Sequence, residues 1–455
     1  MKMVFITSLT EKLVGREFEI ECYDIEVHGI VDNCPPLFKG PGVITGQKKG
    51  AISYRVHNQI EISAEARPII FKQVKQGEVT QVRIFAKDYD NIHWTGGWSI
   101  PNVELSTSGK CIVHGQFDQL ATRVQRYEAN NLNNITELVF SSIPDLPLTE
   151  LVEEKILHRG EQIFSRSWYD RHELEFNKSK IHFYSSNSSN LFYVSAENSE
   201  KFSAPYVENW IPEALTLITA SLTYPRMVVR HFKTDALIFL RNTPSETSSK
   251  MLPAIIGFPN LRKELWKIFT TYLDECVRCN QFEQLVTTKI FSEVIIASTG
   301  TLQAFVLSLS VCVENLAGQL ADEFSIKTLD KEESKALKTY LEQWQGDEDI
   351  KNRAIGLLSM LGTRSTSQVL KALKEENVIG NEHIKTWNKI RNSLAHGGII
   401  EFSADEDFWQ KRNLLISMVY RLILRKIGYR GLITDHASSD IKSIDFQWER
   451  KCPVE

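Results

Sequence analysis

The spacing of apolar residues changes near Pro259, and this change limits the folds that the chain can adopt. Before it, short runs rich in β-branched and aromatic residues, such as FEIECYDIEVHGIV and TQVRIFA, are separated by Gly, Pro, Asn or Lys. Such runs predict many short strands in an antiparallel, sandwich-like sheet. After Pro259 the apolar residues recur at helical spacing. We therefore expect an α+β protein with more than one domain.

These patterns divide the 455 residues into three expected regions. Residues 1–120 are predicted to form a β-rich N-terminal domain, residues 121–258 a mixed α/β connecting region, and residues 259–455 an all-α region. In the middle region, the segment 148–164 (LTELVEEKILHRGEQIF) is predicted to be helical, whereas MVVRHFKTDALIFLRN predicts strand, turn and strand.

The segment from residue 382 to residue 400, EHIKTWNKIRNSLAHGGII, predicts a helix with an abrupt end. A glycine pair, Gly397 and Gly398, stands where the helix should stop, because glycine is common just past the last turn. The apolar residues of this segment recur at spacings of three and four and form one stripe, made of Ile384, Trp387, Ile390 and Leu394.

Three polar residues lie beside that stripe. At about 100° per residue, Arg391, Asn392 and His396 fall within an arc of roughly 140°. An arginine supplies fixed donors for phosphate oxygens, and a histidine can move a proton near neutral pH. An arginine, an amide and an imidazole at one helix end therefore suit a phosphodiester.

The spacing of Arg and His is not specific by itself. It also occurs at Arg226 and His231, in PRMVVRH. There the proline and the paired valines favour an extended strand, so the two side chains would point to opposite faces. Only the motif helix is expected to bring the two side chains to one side.

A structural role is the alternative for the motif itself. A histidine at a helix C-terminus can cap carbonyl groups and gain from the helix dipole. Arg391 can likewise pair with an acid such as Glu314 or Glu382. Glu314 interrupts an otherwise apolar helix, and buried acids are rarely left unpaired, so we expect it to support Arg391.

The motif and its context resemble a known family. Arg391-Asn392-x-x-x-His396 is similar to the Arg-x(4–6)-His signature of the HEPN superfamily, in its common Arg-Asn-x-x-x-His form. The surrounding features that sharpen the resemblance are Glu314 in VCVENLAGQL, Trp387 before the motif, and RLILRKIGYRGLITDHA after it. Together they resemble the HEPN domain of ApeA-type bacterial anti-phage proteins, over about residues 301–435.

The resemblance implies a metal-independent endoribonuclease that acts in anti-phage defence. The seven scattered cysteines and the short apolar run before Glu11 favour a reducing, cytoplasmic location. His396 would act as general base or acid, Arg391 would stabilise charge on the non-bridging phosphate oxygens, and Asn392 would orient His396 or bind the phosphate. Family members place two such motifs face to face, so a homodimer with a composite site is expected. Transfer RNA is the expected substrate, and a phage-derived trigger is the expected activator.

Two other functions remain open. A non-catalytic HEPN module would bind a nucleotide or a protein partner, and a helical dimerisation scaffold would use Arg391 in a plain salt bridge. The formal net charge of −4 gives no global basic field that would attract nucleic acid. Charge therefore mildly favours the non-catalytic module.

Few other features of the sequence suggest chemistry. No P-loop, dinucleotide fingerprint or HExxH pattern is present, so we expect no cofactor. Cys276 and Cys279 form a lone pair at helical spacing, which favours ordinary helix cysteines over a zinc site. The uncharged run 294–313 is interpreted as a core helix and not as a membrane span. Trp94 and Trp98 lie in an aromatic-rich loop that could contact a partner, although packing at a sheet edge is the commoner role.

Overall fold

The computed structural model describes residues 7–29, 34–47, 50–70, 81–105, 111–125, 134–159, 161–186, 189–244, 249–257, 259–324, 326, 331–361, 364–395, 406–438 and 442–449. The chain divides into two compact units. The first contains Met1–Glu213, Thr223–Thr247 and Gln281–Glu283, and the second contains Ala214–Leu222, Ser248–Asn280 and Gln284–Glu455. The expected α+β, multidomain organisation is confirmed.

The first unit is built on antiparallel strands. Their inward positions are apolar and their outward positions polar, so that in the first strand Phe18 and Ile20 are buried while Glu19 and Glu21 are exposed. The strands are β1 (Phe18–His28), β2 (Phe38–Gly46), β3 (Ile52–Asn58), β4 (Val82–Asp88), β5 (His93–Ser99), β6 (Asn102–Leu105), β7 (Cys111–Phe117), β8 (Gln119–Gln125), β9 (Ile135–Phe140), β10 (Glu150–His158), β11 (Glu161–Phe176), β12 (Ser179–Ser186), β13 (Leu191–Glu197), β14 (Met227–His231) and β15 (Asp235–Arg241).

All fifteen of these strands join one sheet, in the order β10-β11-β12-β13-β9-β14-β15-β8-β5-β4-β1-β2-β3-β7-β6. The expected antiparallel, β-rich N-terminal region is confirmed, and its strands are continuous in one sheet. The reason is β8, which pairs with both β5 and β15 and so connects the two halves. It also means that the expected boundary at residue 120 falls inside one sheet.

The segment 148–164 forms strands, and our prediction of a helix there was wrong. β10 pairs with β11 from Glu150↔Arg171 to His158↔Glu161, and Arg159 lies at the turn with φ 51°. The Leu, Glu and Lys content favours a helix locally, but strand pairing outweighs that weak preference. The predicted strand, turn and strand of MVVRHFKTDALIFLRN are confirmed as β14 and β15.

Most of the helices belong to the second unit. The helices of the chain are α1 (Thr7–Leu13), α2 (Arg67–Ile70), α3 (Val207–Thr219), α4 (Pro259–Arg262), α5 (Glu264–Cys279), α6 (Val286–Ser298), α7 (Leu302–Leu320), α8 (Lys331–Glu342), α9 (Glu348–Leu361), α10 (Thr366–Glu375), α11 (Asn381–Ala395) and α12 (Glu406–Ile427).

Helix α7 is central to the second unit and packs against α6, α10, α11 and α12. Thr301 caps its N-terminus, since the hydroxyl accepts a hydrogen bond from the backbone N–H of Ala304 at 3.2 Å. Leu302–Glu323 is the one helical span in the described residues that is apolar and long enough to cross a membrane, and half of it is buried by its neighbours. That packing is typical of a core helix of a soluble protein.

The C-terminal region is not all-α, which corrects our expectation. Helix α12 ends at Gly428, whose φ of 85° suits glycine in a left-handed helix cap. Two strands, β16 (Gly431–Asp435) and β17 (Lys442–Phe446), then pair as an antiparallel hairpin. Trp448 follows them and donates through Nε1 to the Tyr429 carbonyl at 2.9 Å. The pattern missed this hairpin because its two strands are only five residues each.

Candidate functional site

The motif helix α11 presents one apolar side to the second unit. His383, Thr386, Trp387 and Ile390 are buried along it at spacings of three, one and three, and Ile384 is half-buried. The predicted stripe is confirmed at Trp387 and Ile390, while the side chain of Leu394 lies outside the described residues. This burial fixes which residues the helix turns outward.

Trp387 fixes the position of α11 on α7. The indole is only 2 % exposed, and its Nε1 donates a hydrogen bond to the Ser310 carbonyl of α7 at 3.2 Å. A buried indole that also satisfies its N–H resists rotation of the helix that carries it. Trp387 therefore holds the next turn of α11, with Arg391, beside α7.

Arg391 and Glu314 form an ion pair across these two helices. The guanidinium Nε of Arg391 donates to Oε1 of Glu314 at 2.6 Å. The side chains are 49 % and 33 % exposed, respectively, so the pair lies at the surface. The guanidinium carbon also lies 5.7 Å from the centre of the Trp387 ring. The expected contact between Glu314 and Arg391 is thus present, whereas its role in chemistry stays a prediction.

Asn392 is exposed next to Arg391 on the same helix. His396 and the glycine pair Gly397–Gly398 lie outside the described residues, so the convergence of all three motif side chains stays a prediction. The described part of α11 ends at Ala395. The structure therefore brings together Arg391, Asn392 and Glu314 at the C-terminal end of this helix.

A second histidine on this helix, His383, was not singled out by the sequence pattern. Its Nδ1 accepts a hydrogen bond from the Gly380 N–H at 3.1 Å, so the proton of a neutral ring lies on Nε2, which faces the Ser417 hydroxyl at 3.3 Å. Burial, and then the charge of Arg421, lower the pKa of His383 to about 3. A buried, neutral histidine with both nitrogens engaged anchors the helix and is unsuited to proton transfer.

The other Arg and His pair at the same spacing is structural. Arg226 is fully buried and donates to the carbonyls of Gln47, Gly50 and Arg241 at 2.7 to 2.9 Å. His231, in β14, faces the Glu137 carboxylate at 2.7 Å. Each side chain is therefore committed to a different set of partners, as the strand pattern predicted.

The cysteine pair also has local partners. Cys276 is buried in α5, and the Cys279 thiol lies 3.5 Å from the Glu275 carboxylate. Burial raises the pKa of the Cys279 thiol, which disfavours the thiolate that a metal would need. Within the described ranges, no group of three or more His, Cys, Asp or Glu side chains is placed to hold a metal ion.

Comparisons with known proteins do not identify the chain. No family model matches it, and neither the curated proteins nor the solved structures contain a match. The chemistry of the site therefore follows from its own residues. The exposed guanidinium and the exposed amide can bind a phosphate, and the carboxylate holds the guanidinium in place.

Proposed function

We propose that the chain is a metal-independent HEPN endoribonuclease of the ApeA type, an effector of bacterial anti-phage defence in the cytoplasm. The observation that carries this proposal is the placement of Arg391 at the exposed end of α11, braced by Glu314 of α7 and beside Asn392. A guanidinium held at the surface by one nitrogen keeps its other N–H groups for a ligand. The motif resemblance supplies the reaction.

In the proposed reaction the ribose 2′-hydroxyl attacks the adjacent phosphorus. The bond from O2′ to phosphorus forms while the bond from phosphorus to O5′ breaks, which leaves a 2′,3′-cyclic phosphate and a free 5′-hydroxyl. His396 takes the proton of the 2′-hydroxyl, and Arg391 stabilises the charge on the non-bridging oxygens. DNA lacks the 2′-hydroxyl and is not cut by this route.

A second copy of the chain completes the site. The departing 5′ oxygen needs a proton, and one histidine cannot easily take a proton and give another within the same step. His396 of a second copy would give that proton in a homodimer. The surface position of Arg391 supports such a composite site, because a phosphate bound there is open to a facing subunit.

The alternative is a non-catalytic HEPN module that binds a nucleotide or a protein. It is favoured by the net charge of −4 and by the ion pair itself, because Glu314 already neutralises part of the charge of Arg391. Under a purely structural role, Arg391→Ala would change stability and no activity. Transfer RNA as substrate and a phage-derived trigger belong to the proposal through the family resemblance.

The test is RNA cleavage by the purified full-length chain in EDTA. Wild type, His396→Ala and Arg391→Ala are incubated with transfer RNA, and the product ends are analysed for cyclic phosphate. Cleavage by wild type that both variants lose, with their folds intact by circular dichroism, supports the nuclease. Cleavage that persists in His396→Ala overturns the site, and binding of RNA or nucleotide without any cleavage favours the non-catalytic module.

A further inference from the structure

A cavity of the first unit lies on its sheet and plays no part in the proposed nuclease. It has a volume of about 1100 Å³ and is lined mainly by β2, β3, β6 and β7. A second cavity of about 490 Å³ shares Thr45, Ser53 and Gln116 with it. The two cavities therefore form one elongated groove, which we call the sheet groove. Its size exceeds what a single small ligand needs.

The strand register places the polar side chains of the groove in two rows on one face. In the first row, Thr45 of β2 is opposite Ser53 of β3, which is opposite Gln116 of β7. In the second row, Arg55 of β3 is opposite His114 of β7, which is opposite Asn102 of β6. Residues two apart on a strand share a face, so these six side chains form one continuous polar surface.

Most of these groups have no partner in the described part of the chain. The side chains of Thr45, Ser53, Arg55, Gln116 and Asn102 make no hydrogen bond or ion pair with another described residue. His114 differs, because its Nε2 lies 3.1 Å from the Glu104 carboxylate. A face with several uncommitted donors and acceptors is suited to a ligand that both donates and accepts hydrogen bonds.

An aromatic side chain stands beside this polar surface. Trp98, at the end of β5, is half-buried and lines the larger cavity. The Arg83 guanidinium covers one face of its ring, with 4.5 Å between the guanidinium carbon and the ring centre. Its neighbour Trp94 is buried instead and donates to Asp88 at 2.9 Å. Both tryptophans thus lie in strand β5 and not in the predicted loop, and of the two only Trp98 is in place to contact a ligand.

The charges around the groove disfavour one class of ligand. Four carboxylates line the two cavities, from Glu17, Glu19, Glu104 and Asp118, against a single guanidinium, that of Arg55. Phosphate-rich ligands need several cations and are repelled by carboxylates. A neutral polyhydroxylated ligand fits better, because carboxylates and amides accept from its hydroxyls, while Arg55 and the amides donate to them.

We infer that the sheet groove binds a neutral oligosaccharide, whose hydroxyls bond to the two polar rows and whose apolar ring face packs on Trp98. The length of the groove favours several sugar units over one. This site is independent of the proposed nuclease, since every residue that lines it belongs to the first unit.

The test is calorimetric titration of the full-length chain with maltohexaose, cellohexaose and chitohexaose. AMP, a six-nucleotide RNA and an alanine-based hexapeptide serve as counter-probes. We expect at least one hexasaccharide to bind, and its affinity to stay constant when the salt concentration is raised, because a neutral ligand is not screened. Arg55→Ala and Trp98→Ala should each weaken binding by about tenfold or more.

Matched controls separate the groove from the rest of the surface. Arg16→Ala and Tyr89→Ala remove an exposed arginine and an exposed aromatic ring that line neither cavity, and they should bind as wild type does. If Trp98→Ala fails to fold, Trp98→Phe and Arg55→Lys replace the two variants, with a smaller loss expected. Absence of binding to all three hexasaccharides overturns the proposal. So does binding that the groove variants leave unchanged, or preferential binding of a counter-probe.

Discussion

Arg391 of α11 and Glu314 of α7 meet through a single contact of 2.6 Å between Nε and Oε1. The contact joins the helix that carries the motif to the central helix of its unit. It engages one edge of the guanidinium, so it can orient the group without covering it. It also lies at the surface, where ion pairs contribute little stability. We therefore expect the ion pair to orient Arg391 and to add little to stability.

Glu314→Gln should separate positioning from stability. The amide keeps a hydrogen-bond acceptor but loses the charge, so we expect the free energy of unfolding to change by less than about 1 kcal/mol. RNA cleavage should fall by up to roughly 100-fold, because small displacements of a catalytic group are costly. Single-turnover cleavage and urea unfolding measure the two effects. Glu382→Gln, an exposed acid on the same helix, is the control, and full activity in Glu314→Gln would contradict the positioning role.

Trp387→Ala should destabilise the second unit. The side chain is 2 % exposed and donates to the Ser310 carbonyl, so its removal creates a cavity and loses the hydrogen bond from the indole. We expect a loss of about 3–5 kcal/mol, measured by chemical unfolding. Trp409→Ala, which removes a tryptophan that is 46 % exposed, should cost less than about 1 kcal/mol. Equal losses for the two variants would show that Trp387 is not an anchor.

Sequence reasoning located the motif helix because its signal is local. The spacing of Trp387 and Ile390 alone predicted that both are buried, as they are. The single sheet was not predictable in this way, because β8 joins its halves through long-range pairs that no local pattern encodes. The same reason explains the error at 148–164, where pairing outweighs propensity.

The sheet groove could not be predicted from the sequence, for a related reason. Its polar residues come from four strands, and only the register brings Arg55 opposite His114 and Ser53 opposite Gln116. In the sequence each is an ordinary outward-facing strand residue. Trp98 was noticed for its composition, but only its position beside the cavity distinguishes it from Trp94.

Two buried histidines should make the second unit sensitive to acid. Burial lowers the pKa of His383 to about 3 and that of His436 to about 4, while an unfolded histidine titrates near 6.5. Between these values the unfolded chain binds more protons, so the free energy of unfolding falls as the pH falls below about 6.5. The slope is up to about 1.4 kcal/mol per pH unit for each histidine.

The variant His383→Asn tests this slope. Its amide oxygen can still accept from the Gly380 N–H, but the side chain no longer titrates. Urea unfolding at pH 4.5 to 7.5 should therefore show a shallower pH dependence in the variant than in wild type. The exposed His93 supplies the control, since His93→Asn removes a histidine that is not buried. Identical slopes for wild type and His383→Asn would contradict the assignment.

Arg226 should be essential to the fold of the first unit and irrelevant to RNA cleavage. Its buried guanidinium donates to three carbonyls, those of Gln47 and Gly50 in one segment and that of Arg241 in a segment far away in the sequence. Arg226→Met fills similar space but donates nothing, and a buried carbonyl that loses its donor costs about 1–3 kcal/mol. The cost should be smaller at Gly50, whose carbonyl also accepts from the Thr243 N–H at 3.4 Å. We therefore expect a loss of several kcal/mol in chemical unfolding.

The matched control for that loss is Arg123→Met. Arg123 is 67 % exposed and pairs with Asp235 at the surface, so its replacement should cost less than about 1 kcal/mol. Arg226→Lys should recover only part of the stability, because one ammonium on a shorter chain cannot reach three carbonyls as a planar guanidinium does. A variant Arg226→Met that is as stable as Arg123→Met would mean that water replaces the guanidinium. Arg226 would then only fill space and would not link these two backbone segments.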